Sequence, residues 1–179
     1  IGGFFRTTNV DYPYARPVFV AHLKNVFREK LEDIVIVSPD AGGAVRAQSY
    51  AKRLMQNADL AIIHKEREIP NQVSKMKLAG DVKGKIALIV DDMADTCGTL
   101  ARAAQLLEES GAKEVYALAT HGIFSGDAMK NIDGSPIKRM FVTDTIEGNK
   151  KLSKKIDVVS VGEIFGDAIS RIESGESLS

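Results

Sequence analysis

The sequence predicts an α/β fold in which a parallel sheet is flanked by helices, all within one domain that covers residues 1–179. Short β-branched apolar runs, such as residues 34–37 and 86–90, alternate with segments of helical spacing, such as residues 100–110. This alternation is typical of parallel strands joined by crossover helices. A chain of 179 residues is also long enough to bury one core.

The predicted helices each have a local signal. Pro17 suits the first turn of a helix whose apolar residues recur at helical spacing. Gly111 follows an Ala- and Leu-rich segment and fits the position just after a helix end. Ser125 fits the start of a short capped helix. The predicted helices cover residues 17–31, 44–56, 100–110, 125–129 and 163–172.

The predicted strands are apolar runs bounded by turn residues. Residues 34–37 end at a Gly-rich turn, and residues 86–90 form the strongest central strand. The charged segment 65–73, which contains Pro70, is interpreted as a loop. The predicted strands cover residues 34–37, 60–64, 76–78, 86–90, 115–120, 140–143 and 158–161, with residues 76–78 at an edge. Ligands bind at the carboxyl ends of such strands, so the loops after residues 37, 63, 90 and 120 should share one rim.

Composition narrows the class of function. The 24 basic and 24 acidic residues give a formal net charge of zero, which argues against a general nucleic-acid or membrane binder. A single cysteine, Cys97, excludes a disulfide within the chain, and no apolar run is long enough to span a bilayer. We therefore expect a reduced, cytoplasmic protein. The chain begins at Ile1 rather than Met, and we expect a piece of a longer protein.

The loop after the central strand carries the strongest chemical signal. Two adjacent carboxylates, Asp91 and Asp92, can accept hydrogen bonds from neighbouring sugar hydroxyls, and the helix that opens near Gly98 offers bare N–H groups to a phosphate. Asp95 would repel a phosphate and fits better as a base or hydrogen-bond acceptor near the anomeric carbon. The plain alternative is a solvated acidic turn. The predicted ribose 5-phosphate site consists of Asp91, Asp92, Asp95, Thr96, Cys97, Gly98 and Thr99.

This loop resembles the phosphoribosyl pyrophosphate signature of the type I phosphoribosyltransferase fold. Together with three further segments it resembles the ribose-phosphate pyrophosphokinases, also called phosphoribosyl pyrophosphate synthetases. The four segments are residues 38–43, 64–67, 91–99 and 120–126. The likeness extends over essentially the whole chain. It implies transfer of the pyrophosphoryl group of ATP to ribose 5-phosphate, which yields phosphoribosyl pyrophosphate and AMP for nucleotide biosynthesis.

Two cations near another strand end fit that reaction. Lys65 and Arg67 stand two residues apart, so an extended backbone would send both to the same side. Positive charge there can stabilise a transferring phosphoryl group. The resemblance assigns the two residues to catalysis on the pyrophosphoryl group of ATP. The alternative is a solvated charge run.

Asp40 follows an apolar strand and precedes two glycines. Its carboxylate can hold Mg²⁺ directly or through water, and the resemblance places it at the site of Mg²⁺ and ribose 5-phosphate.

Arg46, one turn into the next helix, is interpreted as a structural or interface residue. His121 is interpreted as structural. Ser177 and Ser179 resemble tail serines that help to bind a regulatory phosphate, or else belong to a frayed tail.

The resemblance also implies that a part is missing. The family has two similar domains, and this chain resembles only the second, C-terminal one. The first supplies most ATP contacts and much of a homo-oligomer interface, so we expect the 179 residues alone to be inactive or weakly active. Two alternatives remain open. One is a phosphoribosyltransferase, which shares the 91–99 loop, and the other is a non-catalytic regulatory subunit of the synthetase.

Overall fold

The computed structural model describes residues 2–5, 7–8, 10–55, 58–66, 75–147 and 151–178. Its centre is a seven-stranded sheet in the order β3-β2-β1-β4-β5-β6-β7. The strands are β1 Ile34–Ser38, β2 Asp59–Glu66, β3 Lys75–Ala79, β4 Ile86–Ala94, β5 Glu114–Gly122, β6 Ile137–Thr143 and β7 Ile156–Val159. All neighbours pair in parallel except β3, which runs antiparallel to β2 at the edge.

Five α-helices accompany the sheet: α1 Arg16–Phe27, α2 Ala44–Leu54, α3 Gly98–Glu109, α4 Ala128–Asp133 and α5 Gly162–Ser174. Two short 3₁₀-helices, Gly2–Phe4 and Arg28–Asp33, complete the described elements. The predicted parallel sheet with flanking helices is thus confirmed. Among the described residues, no helix is both long and apolar enough to cross a bilayer.

The sheet separates two cores, because successive side chains of a strand point to opposite faces. On one face, α1 and α2 cover the strands with Phe19, Leu23 and Tyr50. On the other, α3 and α4 pack Leu107 and Ile132 against the sheet. The central strands β1 and β4 are buried on both faces, which is why they read as continuous apolar runs.

Several predicted boundaries were wrong. The first helix ends at Phe27, where the chain continues as a 3₁₀-helix instead of reaching residue 31. Lys65 and Glu66 were predicted to lie in a loop, but they belong to β2, which continues to Glu66 by pairing with β3. The central strand was predicted to end at Val90, but β4 continues to Ala94 because its pairing with β5 persists. The short helix α4 begins only at Ala128, without a side-chain cap.

Candidate functional site

The carboxyl ends of β1, β2, β4 and β5 lie at one rim of the sheet, as predicted, because these strands are parallel. Asp91 and Asp92 lie within the last residues of β4 itself rather than in the loop that follows the strand. The Arg46 guanidinium, from α2, bridges the two. Its Nη1 lies 3.2 Å from Oδ1 of Asp91, and its Nη2 lies 2.7 Å from Oδ2 of Asp92. The Asp92 N–H also donates to Oδ1 of Asp91, at 2.9 Å.

The acidic pair has uneven surroundings. The Asp91 side chain is 22% exposed and the Asp92 side chain 54% exposed. Burial raises the pKa of Asp91 to about 6, and the neighbouring Asp92 carboxylate adds to this rise. The Asp92 N–H and Arg46 oppose the rise by stabilising the charged form. Asp91 therefore titrates close to the physiological range, while its neighbour stays in contact with solvent.

A three-residue turn, residues 95–97, leads from β4 into α3. Cys97 occupies the N-cap position in the left-handed region, with φ +58°, and its carbonyl accepts the Ala101 N–H at 2.9 Å. The thiol is buried, and burial together with Asp95 raises its pKa to about 11. The helix N-terminus thus does not activate Cys97 as a nucleophile.

Gly98 is the first residue of α3 and lies beside the N–H groups of the first helical turn, which have no partner within the helix. A Cβ placed at this position would meet nothing closer than 3.8 Å, at Nδ2 of Asn131. The described fold therefore does not itself require glycine here. Thr99 is half-buried in the same turn, and Thr96 is exposed before it. The N-terminus of a helix, beside hydroxyl groups, suits a bound phosphate.

Residues 123–125, which follow β5, hold this turn from one side, and their contacts together with those of Asn131 are called here the brace. The N–H groups of Ile123 and Phe124 both donate to the Ala94 carbonyl, at 2.9 and 3.0 Å. Phe124 adopts φ +52°, and its ring packs so closely over Gly122 that a Cβ there would lie 2.5 Å from Cε2. Glycine at position 122 is thus a packing requirement of the brace.

Two side chains complete the brace. The Ser125 hydroxyl donates to Oδ1 of Asp95. The Asn131 amide, from α4, donates to the Thr96 carbonyl at 2.8 Å. Asp95, predicted as a base or as an acceptor near the anomeric carbon, is therefore held by a hydroxyl in the described structure. These bonds fix two of the three residues of the turn.

Asp40 lies in the turn between β1 and α2. Its Oδ1 accepts the Gly43 N–H at 2.9 Å, and its carbonyl accepts the Ser38 hydroxyl at 2.6 Å. No three acidic, His or Cys side chains converge closely enough to hold a metal ion in the part of the chain that is described. The single carboxylate of Asp40 is still compatible with Mg²⁺, because this ion is commonly bound through one or two carboxylates, with substrate phosphates and water as the remaining ligands.

The other predicted site residues are only partly described. The backbone of Lys65 pairs with Met76 near the end of β2, two strands from β4, or about 10 Å across the rim. The side chain of Lys65 lies outside the described residues, as do Arg67 and Ser179. Ser177 is described, and its carbonyl accepts from Nη1 of Arg171 at 3.2 Å.

Sequence reasoning missed three residues of the site. Arg46 was interpreted as structural or as part of an interface, whereas it contacts both carboxylates. Ser125 was interpreted as a helix cap, whereas it bonds to Asp95, and Asn131 received no role. One signal for Arg46 was present: a cation in the first turn of a helix opposes the helix dipole and calls for a nearby anion. The contacts of Ser125 and Asn131 span 30 and 35 residues, so no local pattern reports them.

Comparison with known proteins identifies the family of the chain. A family model described as phosphoribosyl synthetase-associated domain matches residues 67–179. Ribose-phosphate pyrophosphokinase 2 of Schizosaccharomyces pombe is 47% identical over 181 residues, which cover all of this chain and 56% of the relative. Ribose-phosphate pyrophosphokinase A of Dictyostelium discoideum is 49% identical over 182 residues, which cover all of this chain and 55% of the relative. The chain spans about half the length of the curated relatives it matches.

Solved structures agree with these relatives. The crystal structure of phosphoribosylpyrophosphate synthetase from Mycobacterium smegmatis has a TM-score of 0.85 at 33% identity, covering 97% of this chain and 55% of the other. An adenine phosphoribosyltransferase has a TM-score of 0.57 at 18% identity, covering 71% and 76%. This second likeness shows the fold alone. The predicted type I phosphoribosyltransferase-like fold is confirmed.

Proposed function

The chain belongs to the phosphoribosyl synthetase-associated domain family, and from this premise we propose that it is the C-terminal part of a ribose-phosphate pyrophosphokinase and carries the ribose 5-phosphate site. One observation carries the proposal. The carboxylates of Asp91 and Asp92 stand at the end of β4, directly before a turn that opens into the free N-terminus of α3. Carboxylates suit the ribose hydroxyls, and the helix N-terminus suits the 5-phosphate.

In the proposed reaction, the anomeric hydroxyl of ribose 5-phosphate attacks the β-phosphorus of ATP. The bond between that phosphorus and the oxygen bridging it to the α-phosphate breaks, AMP leaves, and the hydroxyl proton passes to solvent or to a nearby base. Asp95 is the carboxylate of the turn beside the sugar site. Lys65 and Arg67 would stabilise the charge of the transferring group, so that positioning and electrostatics supply the rate.

Magnesium fits this proposal through Asp40. The ion would be held by the Asp40 carboxylate together with oxygens of the substrates, and when bound it would neutralise phosphate charge. The Gly43 N–H already binds one oxygen of this carboxylate, so the side chain is oriented before any ion arrives.

The proposal has finer parts that follow from the family resemblance. ATP would be bound mostly by residues beyond this chain, in a cytoplasmic homo-oligomer of the longer protein. Ser177 and Ser179 would contribute to a site for a regulatory phosphate. The relatives with the full-length match are ribose-phosphate pyrophosphokinases, which favours this function over that of a phosphoribosyltransferase.

Calorimetric titration of the 179-residue chain with ribose 5-phosphate tests the proposal. We expect saturable binding by the wild type and a loss of at least about tenfold in affinity for Gly98→Ala, since its methyl group would stand where the phosphate approaches. Because alanine fits the first turn of a helix, Gly98→Ala should keep the free energy of unfolding, or raise it by up to about 1 kcal/mol. Absence of binding by the wild type, or equal binding by a stably folded Gly98→Ala, would overturn the proposal.

A further inference from the structure

We propose that Arg46 is a positioning residue that sets the geometry and charge of the Asp91–Asp92 pair and thereby selects a sugar phosphate with two adjacent free hydroxyls. This inference rests on the proposed function, because it concerns the same sugar site. It adds a residue outside the loop of residues 91–99 and gives that residue a role in specificity.

Arg46 binds one oxygen of each carboxylate, and the oxygen that it does not bind is called here the outer oxygen. Arg46 occupies Oδ1 of Asp91 and Oδ2 of Asp92, one with each terminal nitrogen. Within the described part of the chain, the remaining oxygens, Oδ2 of Asp91 and Oδ1 of Asp92, receive no hydrogen bond from Arg46 or from the Asp92 N–H. A planar guanidinium held at both ends fixes the separation of the two carboxylates. The outer oxygens are thus a pair of acceptors at a fixed spacing, which suits two neighbouring hydroxyls.

Charge gives Arg46 a second role. Two adjacent carboxylates repel each other and also a phosphate bound nearby, and among the described side chains Arg46 is the cation that contacts them. Without Arg46, Asp91 would be protonated over a wider pH range, since burial and Asp92 already favour its neutral form. A protonated Asp91 would be a poorer acceptor for a sugar hydroxyl.

The position of Arg46 on α2 is explained by the site and not by the helix. It lies in the first turn, where the helix dipole disfavours a cation, and no acidic side chain accompanies it there. Glycine at position 43 is required by Ser38 rather than by Arg46, since a Cβ there would lie 2.7 Å from Oγ of Ser38 but at an ordinary contact distance of 3.4 Å from Nη1 of Arg46. The position of Arg46 is thus accounted for by its two carboxylate partners on β4.

The test compares ribose 5-phosphate with 2-deoxyribose 5-phosphate, which lacks one of the two hydroxyls, by calorimetric titration of the 179-residue chain. We expect the wild type to prefer ribose 5-phosphate. Arg46→Met should weaken the binding of ribose 5-phosphate by at least about tenfold, the effect of losing a charge-assisted hydrogen bond, and that of the deoxy sugar by less than about threefold. Arg46→Lys, which keeps the charge without the fork, should restore part of the affinity but less of the preference.

Lys52→Met is the matched control, because it removes an exposed cation from the same helix; its affinities and its preference should equal those of the wild type. Circular dichroism and thermal unfolding establish that each variant folds, and Arg46→Lys serves as the readout if Arg46→Met unfolds. If the wild type binds neither sugar phosphate, the proposed function is overturned together with this inference. If the wild type binds and the Arg46 variants weaken both sugars equally, or neither, only the role of Arg46 is overturned.

Discussion

At the scale of single residues, Asp91 is a side chain of the proposed binding site that lowers the free energy of unfolding. Its carboxylate is mostly buried beside a second carboxylate, and the pKa is raised to about 6. In the unfolded chain an aspartate titrates near pH 4. Between these two values the folded state therefore binds more protons than the unfolded state, and the stability of the fold decreases as the pH rises through this window.

Replacing Asp91 by asparagine should remove this cost. We expect Asp91→Asn to raise the free energy of unfolding at pH 7.5 by about 1–2 kcal/mol, less than the full shift would imply because the side chain is partly exposed. The gain should shrink as the pH falls from 6 to 4, where the wild-type carboxylate is protonated in the folded state. Urea unfolding at a series of pH values measures both effects.

Asp127→Asn is the control for this experiment, since Asp127 is exposed at the start of α4. Its substitution should change the stability by no more than about 0.5 kcal/mol at any of these pH values. A destabilised Asp91→Asn, or a gain that does not depend on pH, would contradict the electrostatic explanation. The same variant should lose affinity for ribose 5-phosphate, because the amide replaces an acceptor oxygen.

The residue types of the loop were predictable, but their surroundings were not. Adjacent Asp91 and Asp92 before a Gly–Thr helix start are a local pattern, and the structure places them at the expected rim. The partner of the pair, Arg46, is 45 residues away, so the sequence alone could not connect them. The burial of Cys97 could not be read from the sequence either, and it raises the pKa of a thiol whose place beside a helix N-terminus would by itself lower it.

At the scale of elements, the type of each strand was predictable because β-branched runs of four or five residues form buried strands. Their ends were not, because they depend on a neighbour. Polar residues end the apolar run after Val90, yet β4 continues while Asp91 pairs with Ala119 and Ala94 with Gly122. Because of this extension, the acidic pair belongs to a hydrogen-bonded strand, which is more rigid than a free loop.

The brace between the β5–α4 segment and the 95–97 turn supports the second half of the site. Removing both of its side-chain bonds with Ser125→Ala and Asn131→Ala should lower the affinity for ribose 5-phosphate by roughly three- to tenfold, while the fold loses about 1–2 kcal/mol. The physical reason is that a looser turn has to be ordered by the ligand. Calorimetric titration gives the affinity, and amide exchange in the turn should become faster.

Ser135→Ala provides the comparison, because Ser135 donates to the Ile132 carbonyl at the far end of α4 and makes no contact with the turn. It removes two hydrogen bonds of the hydroxyl, since Oγ also accepts the Ile137 N–H, and it should leave the affinity unchanged. If the double variant binds as tightly as the wild type, the brace stabilises the fold without organising the phosphate site.

At the scale of the whole molecule, alternation of strands and helices was sufficient to predict the layered architecture and the rim that carries the site. The order of strands and the antiparallel direction of β3 required the structure. Helix α5 shows another limit: its apolar spacing predicted a helix, but Phe165, Ile169 and Ile172 are each about half exposed or more. Periodicity identifies a face and does not say what covers it.

The last prediction concerns the proposed division of the reaction between this chain and the other part of a longer protein. Pyrophosphoryl transfer requires both substrates to be held in line, and misplacement by about 1 Å can cost about a hundredfold in rate. The chain spans about half the length of its relatives, and the proposed site of Asp91 and Asp92 is a site for the sugar phosphate and not for a nucleotide. We therefore expect the 179 residues to bind ribose 5-phosphate yet to release AMP from Mg²⁺·ATP at the rate of a chain-free blank in a coupled assay. Gly98→Ala should give the same blank rate, whereas turnover above the blank that depends on ribose 5-phosphate and is lost in Gly98→Ala would show that this chain alone contains both halves of the site.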